Sequence, residues 1–323
     1  MDNALDPDIR IFTEILREDW SRYPSLDTVS TVEARRIAEL VRARWTAGGP
    51  VMRETRNIQV ETGAGRLGLR IHRPVGVALE NAPALLYIHG GGFVFFSLDT
   101  HDRLMREYAD AGQFVVIGID YPLSPEAKYP DALNRIVALV DWLGEHAAEL
   151  GIDATRLAIG GDSAGANLAL ATCMKLRDAP GHSAIRGILS NYGAFSSDVS
   201  DAAEAAYGGP DALLTQADMV YFFDHYLVSG DQRDDPYSCP LSASDVCGLP
   251  PILLIIPELD VLAEQSFALE ERLQAAGCAV ARNVYLGATH SFLEAMSIAP
   301  LAQQAIRDGA SWIRKQLLSR LPK

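Results

Sequence analysis

No stretch of this 323-residue chain stays apolar for the roughly 18 residues that a membrane-spanning helix needs. Basic residues are in deficit: 28 Lys and Arg face 42 Asp and Glu, a formal charge of −14. A surface of that sign repels phosphate backbones and anionic bilayers, so neither nucleic acid nor a membrane is expected as a partner. Only four cysteines occur, Cys173, Cys239, Cys247 and Cys278, with no Cys-x-x-Cys pair and no histidine beside them at ligand spacing. That pattern fits reduced thiols rather than a disulfide framework or a zinc site, and no metal is expected. The stretch from Met1 to Asp8 has no basic segment followed by an apolar one, so no secretory signal is expected and the expected location is cytoplasmic.

The first fifty residues read as helix. Ile9, Phe12, Ile15 and Leu16 recur at helical spacing, and after Pro24 a capping box of Ser30 and Glu33 opens a second run whose face is Ile37, Ala38, Val41 and Trp45. Strand texture follows: Leu67, Leu69 and Ile71 alternate with polar or small residues, behind a turn at Thr62-Gly63-Ala64-Gly65 that implies an antiparallel hairpin at a sheet edge. Further strands are expected at Ala84–His89, Phe114–Ile119, Arg156–Gly161, Gly187–Tyr192, Ile252–Pro257 and Val280–Leu286. Helices are expected near Thr100–Ala111, Asp131–His146, Ala164–Arg177, Asp260–Ala276 and Leu301–Leu318. Such βαβα order implies an α/β fold, a mainly parallel eight-stranded sheet with helices on both faces. The stretch from Ser196 to Ser244 breaks the alternation. It is longer than an ordinary connection, carries its own helical pattern around Thr215–Leu227, and reads as an insertion folded over the C-terminal edge of the sheet against the N-terminal helices.

The chemistry concentrates in a few loops. In "RLAIGGDSAGANLAL" a strand runs into Gly161-Asp162-Ser163-Ala164-Gly165 and leaves as a helix, the context of a nucleophile elbow in which side chains two residues either side of the serine would collide. A serine hydroxyl needs a base and a group to orient it. With chain order nucleophile, acid, base, the histidines left are His182, His225 and His290. His182 follows Pro180-Gly181 in a turn and His225 lies in the insertion, whereas His290 follows a strand through the short Gly287-Ala288-Thr289 loop. The acid comes from "PPILLIIPELDVL", with Asp260 favoured and Glu258 as fallback. The tetrahedral oxyanion needs N–H donors. One is Ala164, and the others belong to the loop His89-Gly90-Gly91-Gly92, which has neither the G-K-[ST] of a phosphate loop nor the spacing of a dinucleotide site.

His89 to Phe93 as HGGGF, "DYPLSPEAKYP" from Asp120, "GDSAGANLAL" from Gly161, "ELDVL" from Glu258 and "THSF" from Thr289 together resemble the hormone-sensitive-lipase family of α/β-hydrolases, nearest to its bacterial short-chain acetyl esterases. The likeness covers about residues 80 to 320 and extends to "LLTQADMVYFFDHYL" and "DDPYSCPLSA". It implies an α/β-hydrolase core over 51–195 and 245–323, with a helical cap formed by 1–50 and the insertion 196–244. It also implies Ser163, Asp260 and His290 as the catalytic residues, and Gly91, Gly92 and Ala164 as the oxyanion hole.

The activity implied is hydrolysis of small esters, acetyl to butyryl, through an acyl-enzyme. It needs no cofactor and takes a small-molecule ester as its partner. Another acyl donor (lactone, amide or acetylated sugar) and a non-catalytic binding module stay open, as does a homodimer through an exposed sheet edge. Phe93, Phe96, Phe195 and Phe292 flank these loops as candidate pocket walls. Phe96 stands where related loops carry a smaller residue, often Gly, so its ring either narrows the site or packs under the cap. Asp162 and His89 are expected to support loop geometry, Tyr129 and Pro130 to fix a turn, and Glu126 to lie on the surface.

Overall fold

In the computed structural model, which describes residues 5–179, 185–209 and 212–319, apolar residues on both faces of the central strands force a sheet covered on both sides. Along the strand Ala82–Ile88, Ala84, Leu86 and Ile88 enter one core while Leu85 and Tyr87 enter the other, and all five are fully buried. The strands are β1 (Met52–Thr62), β2 (Gly65–Pro74), β3 (Ala82–Ile88), β4 (Val115–Asp120), β5 (Ile152–Asp162), β6 (Ile185–Asn191), β7 (Ile252–Leu259) and β8 (Val280–Thr289). They form one sheet in the order β1-β2-β4-β3-β5-β6-β7-β8. The hairpin of β1 and β2 is antiparallel and lies at one edge; from β4 to β8 the strands are parallel.

The helices are α1 (Pro7–Trp20), α2 (Thr31–Thr46), α3 (Asp102–Gly112), α4 (Asp131–His146), α5 (Ala164–Asp178), α6 (Asp201–Tyr207), α7 (Gln216–Tyr226), α8 (Ala263–Ala275) and α9 (Pro300–Leu318). Residues of α4, α5 and α8 fill one core, and those of α3 and α9 fill the other. The second core also takes Ile9, Phe12 and Leu16 of α1 with Ile37, Val41 and Trp45 of α2, where Phe12 meets Trp45 edge to face at 4.7 Å. The insertion contributes α6 and α7, and Met219, Phe223 and Tyr226 of α7 join the first core. Among the described residues, no helix is long and apolar enough to cross a membrane.

Three local expectations are corrected. Ser30 caps α2 by accepting from the Glu33 N–H, but Glu33 turns its carboxylate to Arg36 instead of closing the box, because a charged partner one turn ahead outbids a backbone amide. The Gly287–Thr289 segment is the end of β8 and not a loop: after a register shift Thr289 pairs with Leu259, and the Gly287 N–H donates to Glu258 Oε2 at 2.8 Å. Finally, α8 begins at Ala263, so Asp260 sits in the connection before it.

Parallel register decides which loops meet. Ile88 lies opposite Gly161, Asp162 opposite Asn191, and Leu259 opposite Thr289, so the exits of β3, β5, β6, β7 and β8 share one edge. Glycine makes that approach sterically feasible. A Cβ on Gly165 would sit 2.0 Å from the Ile88 carbonyl oxygen and 2.7 Å from that of His89. Gly165→Ala must therefore push α5 away from β3, and we expect it to lose about 3 kcal/mol, the upper end for overpacking, as read by urea titration. Stability unchanged within about 0.5 kcal/mol would contradict this packing.

Candidate active site

β5 ends at Asp162 and α5 begins at Ala164, leaving Ser163 between them at φ +52° and ψ −118°. A non-glycine residue at positive φ carries strain and has to be held there. The Ser163 N–H donates to the Asn191 carbonyl at 2.9 Å, and its carbonyl accepts from Ala166 at 3.1 Å, Asn167 at 3.2 Å and Ala194 at 3.3 Å. The hydroxyl stands at the positive end of α5, where the helix dipole favours developing negative charge.

Directly after β8, His290 places Nε2 3.0 Å from Ser163 Oγ and Nδ1 2.7 Å from Asp260 Oδ2. A carboxylate only accepts, so Nδ1 carries the proton and Nε2 faces the hydroxyl as acceptor. The other Asp260 oxygen accepts from the Leu262 N–H at 2.9 Å, and both Asp260 and His290 are buried. Tyr192 stands edge-on to the imidazole at 5.0 Å between centroids. Glu258, the fallback acid, is occupied by the Gly287 amide. His225 is bonded through Nδ1 to the Tyr221 carbonyl inside α7. His182 lies outside the described residues.

The loop after β3 faces this chain of hydrogen bonds. Gly91 and Gly92 adopt φ +106° and +59°, and the N–H groups of Gly91, Gly92 and Ala164 donate to no acceptor among the described residues. A Cβ at Gly91 would fall 2.2 Å from the Phe95 carbonyl oxygen, and one at Gly92 would fall 2.2 Å into the Phe222 ring of α7. Glycine is needed here for close approach, which leaves backbone N–H groups as the available donors.

Beneath the loop lies a polar network. Asp162 accepts from Tyr87 Oη at 3.0 Å, from the Gly90 N–H at 3.1 Å and from His101 Nε2 at 3.2 Å. Burial disfavours the charge on both Asp162 and His101, yet their mutual attraction overcomes it: the carboxyl lies below its usual range and the imidazole above. Burial instead drives His89 down to about 3, which keeps it neutral, with Nδ1 bonded to the Gly90 carbonyl at 2.8 Å and its ring stacked on Tyr121 at 4.4 Å.

The aromatic candidates divide. Phe93 is stacked on Tyr226 at 3.8 Å, Phe195 is wholly enclosed in the first core, and Phe292 is wedged between Tyr192 and Tyr285. These three are packing residues and not pocket walls, because each ring is covered on all sides. Phe96 remains half-buried at the rim of the loop, beside Gly91. The walls that sequence reasoning missed come from remote segments. A small cavity of about 20 Å³ adjoins Asp260 and His290 and is bounded by Leu5 and Thr13 of the N-terminal region and by Tyr207, Leu213 and Leu214 of the insertion. Their sequence signal was membership of segments expected to fold over the sheet edge and, for Leu213 and Leu214, of the stretch "LLTQADMVYFFDHYL" that carries the family likeness. Larger depressions, around Arg156 and Arg314 and along β8, lie apart from the Ser163–His290–Asp260 chain.

A Ser-His-Asp chain at the C-terminal edge of a mainly parallel sheet, beside a glycine loop of free N–H groups, defines a hydrolase of the α/β-hydrolase class. Comparison with known proteins agrees. A family profile for the alpha/beta hydrolase fold matches residues 85–294. The chain is 30% identical to an ester hydrolase from the metagenome of Lake Arreo, solved with a derivative of bipyridine phosphonate, with a TM-score of 0.89 over 96% of this chain and 98% of that one. A thermostable esterase from Pseudomonas putida is 29% identical, with a TM-score of 0.89 over 98% and 99% of the two chains. A hyperthermophilic esterase from the archaeon Pyrobaculum calidifontis is 28% identical, with a TM-score of 0.86 over 97% and 98%. The chain belongs to the α/β-hydrolase fold family, in the branch that includes the hormone-sensitive-lipase-like esterases, and is a carboxylic ester hydrolase.

The Asp162–His101 pair has a pH signature. Asp162, depressed when folded, contributes stability that is present above its unfolded pKa and lost as pH falls through the folded value. His101, raised when folded, contributes stability that is present below its unfolded pKa and lost as pH rises through the folded value. The stability gap between wild type and Asp162→Asn is therefore expected to be widest at about pH 4–6.5 and to narrow on either side. Denaturant titrations across pH test this, and a gap that keeps widening above pH 8 would refute the pair.

Proposed function

We propose that the protein is a serine esterase for short acyl groups, acetyl to butyryl. Ser163 attacks the ester carbonyl while His290 Nε2 takes its proton, and Asp260 holds the imidazolium in place. The N–H groups of Gly91, Gly92 and Ala164 receive the oxyanion. Collapse gives the acyl-enzyme, and His290 protonates the departing alcohol. The same histidine then draws a proton from water, which attacks the acyl carbonyl, and Ser163 is restored as the acid leaves.

The observation that carries this reading is the continuous chain of 2.7 Å and 3.0 Å hydrogen bonds from Asp260 to His290 to Ser163. The bound phosphonate of the Lake Arreo hydrolase adds support, since a tetrahedral phosphorus centre has the shape of the acyl-transfer intermediate. Short acyl specificity is supported by the tightness of the surroundings, where the Phe222 ring lies against Gly92. α1, α2 and the insertion act as the cap in this scheme. The unpaired cysteines favour a reducing, cytoplasmic setting.

Nitrophenyl esters of increasing acyl length test the proposal. Activity is expected to peak at acetyl to butyryl and fall at longer chains. Ser163→Ala should lose about 10⁴-fold or more in kcat, and Asp260→Asn about 10³ to 10⁴-fold, the scale seen for triad members elsewhere. Glu258→Gln should lose less than about tenfold, as a residue outside the triad. An active Ser163→Ala protein would end the serine mechanism, and a peak at long chains would end the short-acyl assignment.

A further inference from the structure

Two of the four arginines of α2, Arg35 and Arg42, lie seven residues and about two turns apart on one face. Each reaches a different catalytic loop. Arg35 donates from Nε to the Val94 carbonyl at 2.8 Å and from Nη2 to the Ser124 carbonyl at 2.8 Å, and its fork closes on Glu126 at 3.0 and 2.6 Å. Val94 lies two residues beyond Gly92, and Ser124 in turn donates to the Phe93 carbonyl at 2.8 Å. Glu126 lies on the surface, as expected, and holds the Arg35 fork there.

Arg42 is buried and places Nη1 3.1 Å from Glu294 Oε2, with both side chains less than a tenth exposed. Glu294 stands four residues after His290, on the turn Phe292–Ser297. Between the two arginines, Ala38 is fully buried in a cluster with Val94 and Phe95.

We propose that Arg35 and Arg42 make α2 a splint that sets the glycine loop and the His290 loop at a fixed separation, acting as positioning residues for the triad described above, on whose assignment this inference rests. Docking of α2 does not require them, because Ile37, Val41 and Trp45 already bury its apolar face. A buried ion pair is poor value as stabilisation, since desolvation cancels most of its attraction. Arg42 Nε and Nη1 make no hydrogen bond among the described residues, so what Arg42 and Glu294 add is charge attraction that holds one side of the helix against the turn that follows the base.

The test uses kcat, KM and melting temperature on short nitrophenyl esters. Arg35→Met, Arg42→Met and Glu294→Gln should each lower kcat about 10- to 100-fold with KM changed less than about threefold, the cost of a sub-ångström to 1 Å misplacement. Arg42→Lys should recover part of the loss, and Arg36→Met, which breaks only an exposed pair with Glu33, should behave as wild type.

Should Arg42→Met fail to fold, the isosteric Glu294→Gln decides. Lowered melting temperatures with kcat unchanged would overturn the splint. Ser163→Ala separates the two levels: if it is inactive while Glu294→Gln is fully active, only the splint falls, and if it is active, the triad assignment falls.

Discussion

Three donors from three parts of the chain converge on the carboxylate of Asp162: the Tyr87 hydroxyl at the end of β3, the Gly90 amide that opens the glycine loop, and the His101 imidazole just ahead of α3. This one side chain precedes Ser163, so whatever holds it also holds the elbow. Charge-assisted bonds are roughly twice as strong as neutral ones, and a buried carboxylate that lost them would face the full penalty of desolvation. The cost of burying the ion is thus what keeps the glycine loop seated against the serine. Asn191 extends the arrangement sideways, taking the Tyr108 hydroxyl at 3.1 Å and donating to the Tyr87 oxygen at 3.3 Å.

Steric constraint does the rest. Gly161 and Gly165 let the β5–α5 elbow come within contact of the β3 backbone, where a Cβ at either would fall 2.3 Å or less from the Ile88 carbonyl oxygen. Polar network and glycine contact act on the same two strand exits, one pulling and the other permitting. The parallel register then sets β6, β7 and β8 alongside, and the connections after them deliver Tyr192, Asp260 and His290 without further adjustment.

The elbow and its flanking strand and helix are legible in the sequence because their determinants are local: glycines two residues either side of a serine, after an apolar run and before a helical one. The choice of Asp260 over Glu258 is legible for a related reason, since the residue nearer the following helix lies past the end of the paired strand, whereas Glu258 is still within β7. The partners of Asp162 are not legible. His101 is 61 residues away from it, and no periodicity links them. The same holds for Arg42 and Glu294, which come from opposite ends of the chain. The aromatics mislead because adjacency to a catalytic residue along the chain says nothing about direction: Phe195 and Phe292 leave their loops toward the two cores, while Phe222, from the remote insertion, covers Gly92.

Phe96 shows how such remote contacts settle a local question. Its backbone sits at φ +71°, a conformation costing a non-glycine residue about 1–3 kcal/mol, where a glycine would sit at ease. The ring is placed with the Arg42 guanidinium 5.0 Å from its centroid and the His101 imidazole at 5.9 Å, and a cation over an aromatic face returns about 0.5–2 kcal/mol. Strain and stacking are of similar size, so the residue is tolerated for what it joins: Arg42 from α2 and His101 from the Asp162 network meet across it. A glycine at this position would relieve the backbone and leave Arg42 and His101 without a common surface. The bulky ring therefore packs beneath α2, against the cluster of Ala34, Ala38, Val94 and Phe95.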